Sequence, residues 1–495
     1  MKNKFYITTT LPYINAEAHV GFAMELIQAD VIARYHAQTG DEVIFNTGTD
    51  EHGVKIYNKA IEQGTDPQVY VDEYAEKFKN LVKALNLSVT NFVRTTDSHH
   101  KKSAQEFWNL CLANGDIYKA SYKIKYCTGC ELEKTDSELV EEKCELHPNL
   151  QIERREEENY FFKFSKFQKQ LLDFYESNPT FVLPDFRFNE IKKFVEGGLN
   201  DFSISRLKTK MPWGVAVPND SEQVVYVWFD ALINYVSTLG WPEDKKNFSD
   251  FWPGVQVAGK DNLRQQSAIW QAMLMSAGLS NSKQVLIHGF INIDGQKMSK
   301  SLGNVTNPFP LIEKYGVDVL RYFLLREIPS TEDGDFSEEK LVARYNGDLA
   351  NGLGNLVARV ATLIDNNFGE GLEYNKKLID PATINAIDKM QNSCRASIDN
   401  FKLHEALISI WELIAHADKY VNDNKPWVLT KEDVEKFKIV MINLIEMIYH
   451  ITKALAPFMP ETAEKINKVF DFEKEESLGG RKLNIKKDTV LFPRL

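Results

Sequence analysis

Four side chains in one short window of this 495-residue chain have the spacing to hold a metal ion. Cys127-Thr-Gly-Cys130 and Cys144-Glu-Leu-His147 are two pairs separated by 13 residues. That pattern suits a closed, tetrahedral, structural Zn2+ site of three thiolates and one imidazole; four unrelated reduced side chains are the weaker alternative. A second set could meet polyphosphate. Lys297 and Lys300 lie in the glycine-flanked, hydroxyl-rich stretch DGQKMSKSLGN at 294–304. Two ammonium groups there can reach phosphate oxygens from one side, in a loop able to close after binding. Near the start, His19 and Gly21 follow the strand-like run FYITTTL. A helix N-terminus at that point offers free N–H groups and partial positive charge, and a neighbouring imidazole can donate to phosphate. Read alone, the tripeptide is better explained by a surface or cap histidine followed by a glycine that eases packing.

These groups need a frame to position them. Residues 5–11 read as a buried strand and 19–38 as a helix, followed by the strand DEVIFNTGTDEHG and a second helix from 54. Strand and helix in alternation, with polar residues at strand ends, is the pattern of a parallel α/β sheet. The pattern breaks between 119 and 215, and β-rich text resumes at VVYVWFDALINYV and KQVLIHGFINI, so an insertion is expected to split the sheet. From 338 to 470 the periodicity is helical, with Pro457 and Pro460 expected to close the bundle. The expected organisation is a first half of the parallel sheet at 1–118, an insertion carrying the Cys/His cluster at 119–215, a second half at 216–337 and an α-helical domain at 338–495.

Composition sets limits. With 43% hydrophobic residues, no long apolar run and a polar start, the chain reads as soluble, intracellular and multidomain. Three of its five cysteines fall in the metal window, which points to metal rather than disulfides; Cys111 and Cys394 read as core residues. A net charge of −11 argues against gripping nucleic acid over the whole surface, so a polyanion must meet local tracks such as KTK at 208–210 or residues 297–300.

The pairing of P-Y-x-N-x-x-x-H-x-G with KMSKS, together with GTDEHG at 48–53, YVWFDALINY at 226–235, GKD at 259–261, HGF at 288–290, NGLGNLVAR at 351–359 and NDNKPWVL at 422–429, resembles class I aminoacyl-tRNA synthetases and more closely the methionyl-tRNA synthetases. The resemblance runs from Tyr6 to Phe492-Pro493-Arg494. It implies a Rossmann catalytic domain, an inserted domain with a zinc knuckle, a helical anticodon-binding domain, and the substrates ATP, L-methionine and tRNA(Met), with Mg2+ accompanying ATP. Leu11, Tyr13, Trp228, Ala231, Tyr235 and Gln266 are then expected around methionine, with Tyr235 and the Leu11 backbone near sulfur and Asp50 on the ammonium. Aromatic and aliphatic walls with one weak donor suit a thioether. Plain core packing is the rival account of Trp228 and Tyr235. His19, Gly21, Gly259, Asp261, His288, Lys297 and Lys300 are expected on the ATP side, with His19, Lys297 and Lys300 acting in catalysis. His52 is expected to face ligand beside Asp50. Asn355, Arg359 and Trp427 are expected to read the CAU anticodon, with helix-end packing the rival for Trp427.

Two positions depart from the family pattern. Phe22 stands where a second histidine is usual and cannot donate to phosphate. Gln266 stands where a histidine usually follows GKD, and keeps a hydrogen-bonding side chain. A non-catalytic tRNA-binding relative is the rival from another class. Among other class I synthetases, the small insertion speaks against the isoleucine, leucine and valine enzymes, and NGLGNLVAR with KPW favours methionine over cysteine. The chain stops soon after the bundle, without the appended oligonucleotide-binding domain that dimerises some family members, so a monomer is expected, and the absence of a signal segment or long apolar run gives the cytoplasm as its expected location.

Overall fold

The run FYITTTL forms a strand buried along most of its length in the computed structural model, which describes residues 2–14, 19–130, 132–134, 139–140, 142–298, 304–369, 371–472, 482–483, 485 and 490–495. This strand, β1 (Lys4–Thr9), is followed by β2 (Glu42–Thr49), β3 (Asn91–Arg94), β4 (Val182–Leu183), β5 (Val255–Gly259) and β6 (Gln284–His288). They form one sheet in the order β4-β6-β5-β1-β2-β3. β1 pairs in parallel with β2 and with β5, β2 with β3, and β4 with β6. Strands buried on both faces carry near-continuous apolar or small runs, as β1 and β5 do. The strand order reverses between β1 and β5, the place where parallel sheets open a crevice beyond their carboxyl ends.

The chain divides into two compact units. One comprises Met1–Glu17, Glu42–Asn80 and Val89–Ile287; the other comprises Ala18–Asp41, Leu81–Ser88 and His288–Leu495. In the first unit a long antiparallel hairpin, Ile117–Cys127 with Glu153–Phe162, carries the metal window near its far end. The segment VVYVWFDALINYV differs from its expected β character. Only its first two residues end a strand, Asp220–Val225, after which Val227–Ala231 and Asn234–Ser237 are helical turns. Most of the segment is buried, so its apolar residues show neither period and the β-branched and aromatic content misleads.

Within those turns one carboxylate is buried. Asp230 is fully enclosed, with Oδ2 2.6 Å from His52 Nδ1 and Oδ1 3.1 Å from His100 Nε2, while His100 Nδ1 lies 2.9 Å from Ser237 Oγ. Burial works to raise this carboxyl, but the charge of His52 and the hydrogen bond from His100 outweigh it and hold Asp230 down at about 2.

In the second unit, helix Val20–Gln38 is fastened by another buried charge. Asp30 accepts from Arg34 Nε at 2.8 Å, from Ser88 N and Oγ at 2.6 and 2.7 Å, and pairs with Arg321 Nη2 at 2.7 Å. The buried Arg321 also donates to the carbonyls of Leu85, Pro457 and Phe458, so one guanidinium ties four segments. The remaining helices include Asn355–Asn367, Pro381–Asp399, Leu403–Asn424 and Val434–Leu455, the expected helical region. Pro460 opens a further helix, Pro460–Phe470, rather than closing the set, because proline's missing N–H is tolerated in a first turn. Among the described residues no helix is long and apolar enough to cross a membrane.

Asp230 yields a prediction with a definite sign. Its carboxyl is lower in the fold than the ordinary value of about 3.9, so it contributes stability fully above that pH and loses the contribution as pH falls toward about 2. The contribution is about 2–3 kcal/mol. Unfolding of Asp230→Asn followed across that range should lack this part of the acid slope; a slope equal to that of the unaltered protein contradicts the assignment.

Candidate functional site

Beyond β2 the chain reads Asp50-Glu51-His52-Gly53, and its side chains have separate fates. Glu51 is buried, with Oε1 2.7 Å from Arg94 Nε, Oε2 2.9 Å from Arg94 Nη2, and both oxygens accepting from the hydroxyls of Thr49 and Thr96. His52, expected to face ligand, is instead turned inward onto Asp230. Asp50 is held by its backbone: its N–H donates to the Pro12 carbonyl at 3.0 Å and its carbonyl accepts from Ile14 at 3.3 Å, forming a bridge that sets Tyr13 beside it. Gly53 has φ +117, and a Cβ there would stand 2.5 Å from the Tyr13 hydroxyl. Only glycine leaves room for the tyrosine at this turn. Trp213 closes the loop from outside by donating from Nε1 to the Glu51 carbonyl at 2.7 Å.

Tyr235 and Gln266 come together in the same unit, both buried. Gln266 Nε2 donates to the Tyr235 hydroxyl at 2.7 Å, and Tyr6 fixes the Tyr235 backbone by donating to its carbonyl at 2.9 Å. Gln266 lies in a π-helical segment, Gln265–Ile269, a local widening that resets side-chain direction and recurs at functional sites. Ala231 is buried, Leu11 is half-buried, and the half-buried Trp228 lines a cavity of about 630 Å3 together with Tyr226, Phe194 and Arg264. Trp228 is therefore a cavity wall as well as a packing residue. Gly259 ends β5 and Asp261 is exposed in the turn that follows, so Tyr13, Asp50 and Asp261 all sit just past the carboxyl ends of strands β1, β2 and β5.

In the second unit His19 caps helix Val20–Gln38, with Nδ1 accepting the Phe22 N–H at 3.3 Å. That bond places the imidazole proton on Nε2. Gly21 leaves room in the same geometry, since a Cβ would crowd the His19 ring at 3.0 Å and the Met298 methyl at 3.2 Å. Val20 N donates to the Thr306 carbonyl at 3.0 Å, tying the helix start to the far side of the lysine loop. Lys297 ends a short strand paired with Ile291–Ile293, whereas Lys300 falls outside the described residues. His288 is buried with Nδ1 2.7 Å from the Gly289 carbonyl and Nε2 2.9 Å from Glu25 of the same helix. The sequence reading passed over Arg94, His100 and Asp230. A lone carboxylate inside the apolar run VWFDALI was the available signal, because a buried charge demands partners.

The four metal-window side chains converge. Their ligand atoms all lie within 4.8 Å of one another: Cys130 Sγ is 3.3 Å from both Cys144 Sγ and His147 Nδ1, and Cys127 and Cys144 Sγ are each 3.9 Å from that nitrogen. Ligands bound at about 2.3 Å form a tetrahedron with edges of about 3.8 Å, so the set fits a metal ion. The Cys130 N–H also donates to Cys127 Sγ, and Gly129 leaves space for the His147 ring.

A third constellation lies on the helices. Asn355 and Arg359 are one turn apart, Arg359 donates to Asn422 Oδ1 at 3.2 Å, and its guanidinium lies 5.8 Å from the Trp427 ring, which is 47% exposed. An indole so exposed is a poor packing element but a good platform.

The comparisons with known proteins agree with this arrangement. The family described as tRNA synthetases class I (M) matches residues 5–149 and 130–361, and the anticodon-binding domain of tRNA ligase matches 380–490. The methionine–tRNA ligase of Thermotoga maritima is 44% identical over 96% of this chain and 76% of its own length, and that of Rickettsia typhi is 39% identical over all of both. The Mycobacterium tuberculosis methionyl-tRNA synthetase solved in complex with methionyl-adenylate is 37% identical and superposes over 100% of each chain with a TM-score of 0.92. This chain belongs to the methionine–tRNA ligases, within the class I tRNA synthetases.

Proposed function

We infer that this chain activates L-methionine with ATP and transfers it to the 3′-terminal adenosine of tRNA(Met). In the first step the methionine carboxylate attacks the α-phosphorus of ATP, forming the acyl–phosphate bond of methionyl-adenylate as the bond to pyrophosphate breaks. In the second a ribose hydroxyl of the tRNA takes the methionyl group and AMP leaves. No protein nucleophile is needed, so catalysis rests on positioning and on charge stabilisation at the phosphates. The observation that carries this reading is the placement of Tyr13, Asp50 and Asp261 past the carboxyl ends of adjacent parallel strands.

Asp50 takes the methionine ammonium. Leu11, Tyr13, Trp228 and Ala231 wall the side chain, and Tyr235, held by Gln266, gives its hydroxyl proton to sulfur. His19 donates from Nε2 to phosphate at a helix N-terminus, and Lys297 and Lys300 add two cations. The phosphates would be further neutralised by the Mg2+ that accompanies ATP. Gly259 and Asp261 meet the ribose, Gly21 keeps the helix start open, and His288 acts on the ATP side through its bond to Glu25. With Phe22 in place of a donor, this side leans on His19, the helix N–H groups and the lysines. Cys127, Cys130, Cys144 and His147 would hold Zn2+ as a structural cross-link at the end of the insertion, with no part in bond making. Trp427 stacks an unpaired anticodon base while Asn355 and Arg359 bond base edges. A tRNA substrate supports a cytoplasmic enzyme.

Pyrophosphate exchange into ATP tests the reading. Exchange should require methionine and fail with leucine, isoleucine, valine and cysteine; its absence from folded, zinc-loaded protein that still binds tRNA leaves only a binding function. At the helical site, Trp427→Ala should raise the KM for tRNA(Met) in aminoacylation by about 10- to 100-fold, the range for one lost base stack, and leave exchange intact. An unchanged KM contradicts the anticodon role.

A further inference from the structure

Strand β5 reads Val-Gln-Val-Ala-Gly, and its one polar side chain, Gln256, is 1% exposed. Gln256 Nε2 donates to Gln266 Oε1 at 3.1 Å, and Gln266 Nε2 in turn donates to the Tyr235 hydroxyl at 2.7 Å. The Gln266 carbonyl is pinned separately by Gln271 Nε2 at 2.8 Å. Gln256 Oε1, however, is buried without a partner among the described residues. Burying such an oxygen unpaired is unfavourable and a methionine or leucine would avoid it, so packing does not call for an amide at this position.

The amide has a directional effect. A glutamine presents either a donor or an acceptor to its neighbour, depending on how its amide is turned. With Gln256 donating to Oε1, Gln266 must present Nε2 to Tyr235. The phenol oxygen then receives, and its own proton is directed elsewhere. Were Gln266 reversed, Tyr235 would donate to Oε1. A thioether, a weak acceptor, cannot compete with an amide oxygen for that proton. We propose that Gln256 is a positioning residue for sulfur recognition, acting through the orientation of Gln266 to keep the Tyr235 hydroxyl a donor. The inference rests on the reading that Tyr235 meets the methionine sulfur.

The test uses the full chain in methionine-dependent pyrophosphate exchange, with norleucine, which carries a methylene in place of sulfur, as competitor. Gln256→Met, close in volume, should raise the methionine KM about tenfold with the loss in KM rather than kcat, and change the norleucine KM less than twofold. Discrimination between the two amino acids then falls by about five- to tenfold. In a Tyr235→Phe background, Gln256→Met should cause no further loss, since the relay has no end to act on. Gln266→Leu, which cuts the relay in its middle, should reproduce the loss and serves if Gln256→Met does not fold. If Tyr235→Phe lowers discrimination and neither relay variant does, the proposal is overturned while the sulfur reading stands. If Tyr235→Phe leaves discrimination unchanged, both fall.

Discussion

A buried charge must be paired, and in this protein that requirement shapes the loop Asp50-Glu51-His52. Glu51 and His52 are both withdrawn from water, and each is tolerable there only because a partner waits, Arg94 and Asp230 respectively. The two pairs and the bridge to Tyr13 hold the loop at three successive residues. What remains is one carboxylate, Asp50, held by its backbone at the end of a parallel strand. Two buried pairs thus hold the loop that carries Asp50, the kind of preorganisation a positioning enzyme needs.

The same logic recurs in the second unit. Asp30 and Arg321 fasten helix Val20–Gln38 in its middle, while His19 and the Thr306 carbonyl fix its first turn. An N-cap made by imidazole rather than by serine or aspartate has a chemical result, because the capping bond occupies Nδ1 and leaves the proton on Nε2. One hydrogen bond thus starts the helix and selects the tautomer able to donate to phosphate.

Much of this was legible in the residues themselves. The Cys/His spacing led to four ligand atoms that converge, and the strand–helix alternation led to a parallel sheet. Asn355, Arg359 and Trp427 were paired by motif, and the fold brings Arg359 to the Trp427 ring. Other features were hidden for physical reasons. VVYVWFDALINYV is enclosed almost throughout, so no amphipathic period marks its helical turns, and its aspartate reads as a break in an apolar run rather than as the hub of two histidines. His52 next to Asp50 looked like a ligand residue, since adjacency in sequence does not tell which of two neighbours points inward. Gln256 carried no signal at all; its meaning depends on Gln266, ten positions away, meeting it across a π-helical turn.

The central claim is that the loop's other charges belong to the fold while Asp50 belongs to the substrate. The methionine KM of Asp50→Asn in pyrophosphate exchange tests it most directly. Loss of a charge-assisted bond to the ammonium predicts a rise of about 10- to 100-fold, with ATP KM and the unfolding midpoint near those of the unaltered protein. A methionine KM within twofold of the original, or a fall in stability that accounts for the loss, would contradict it.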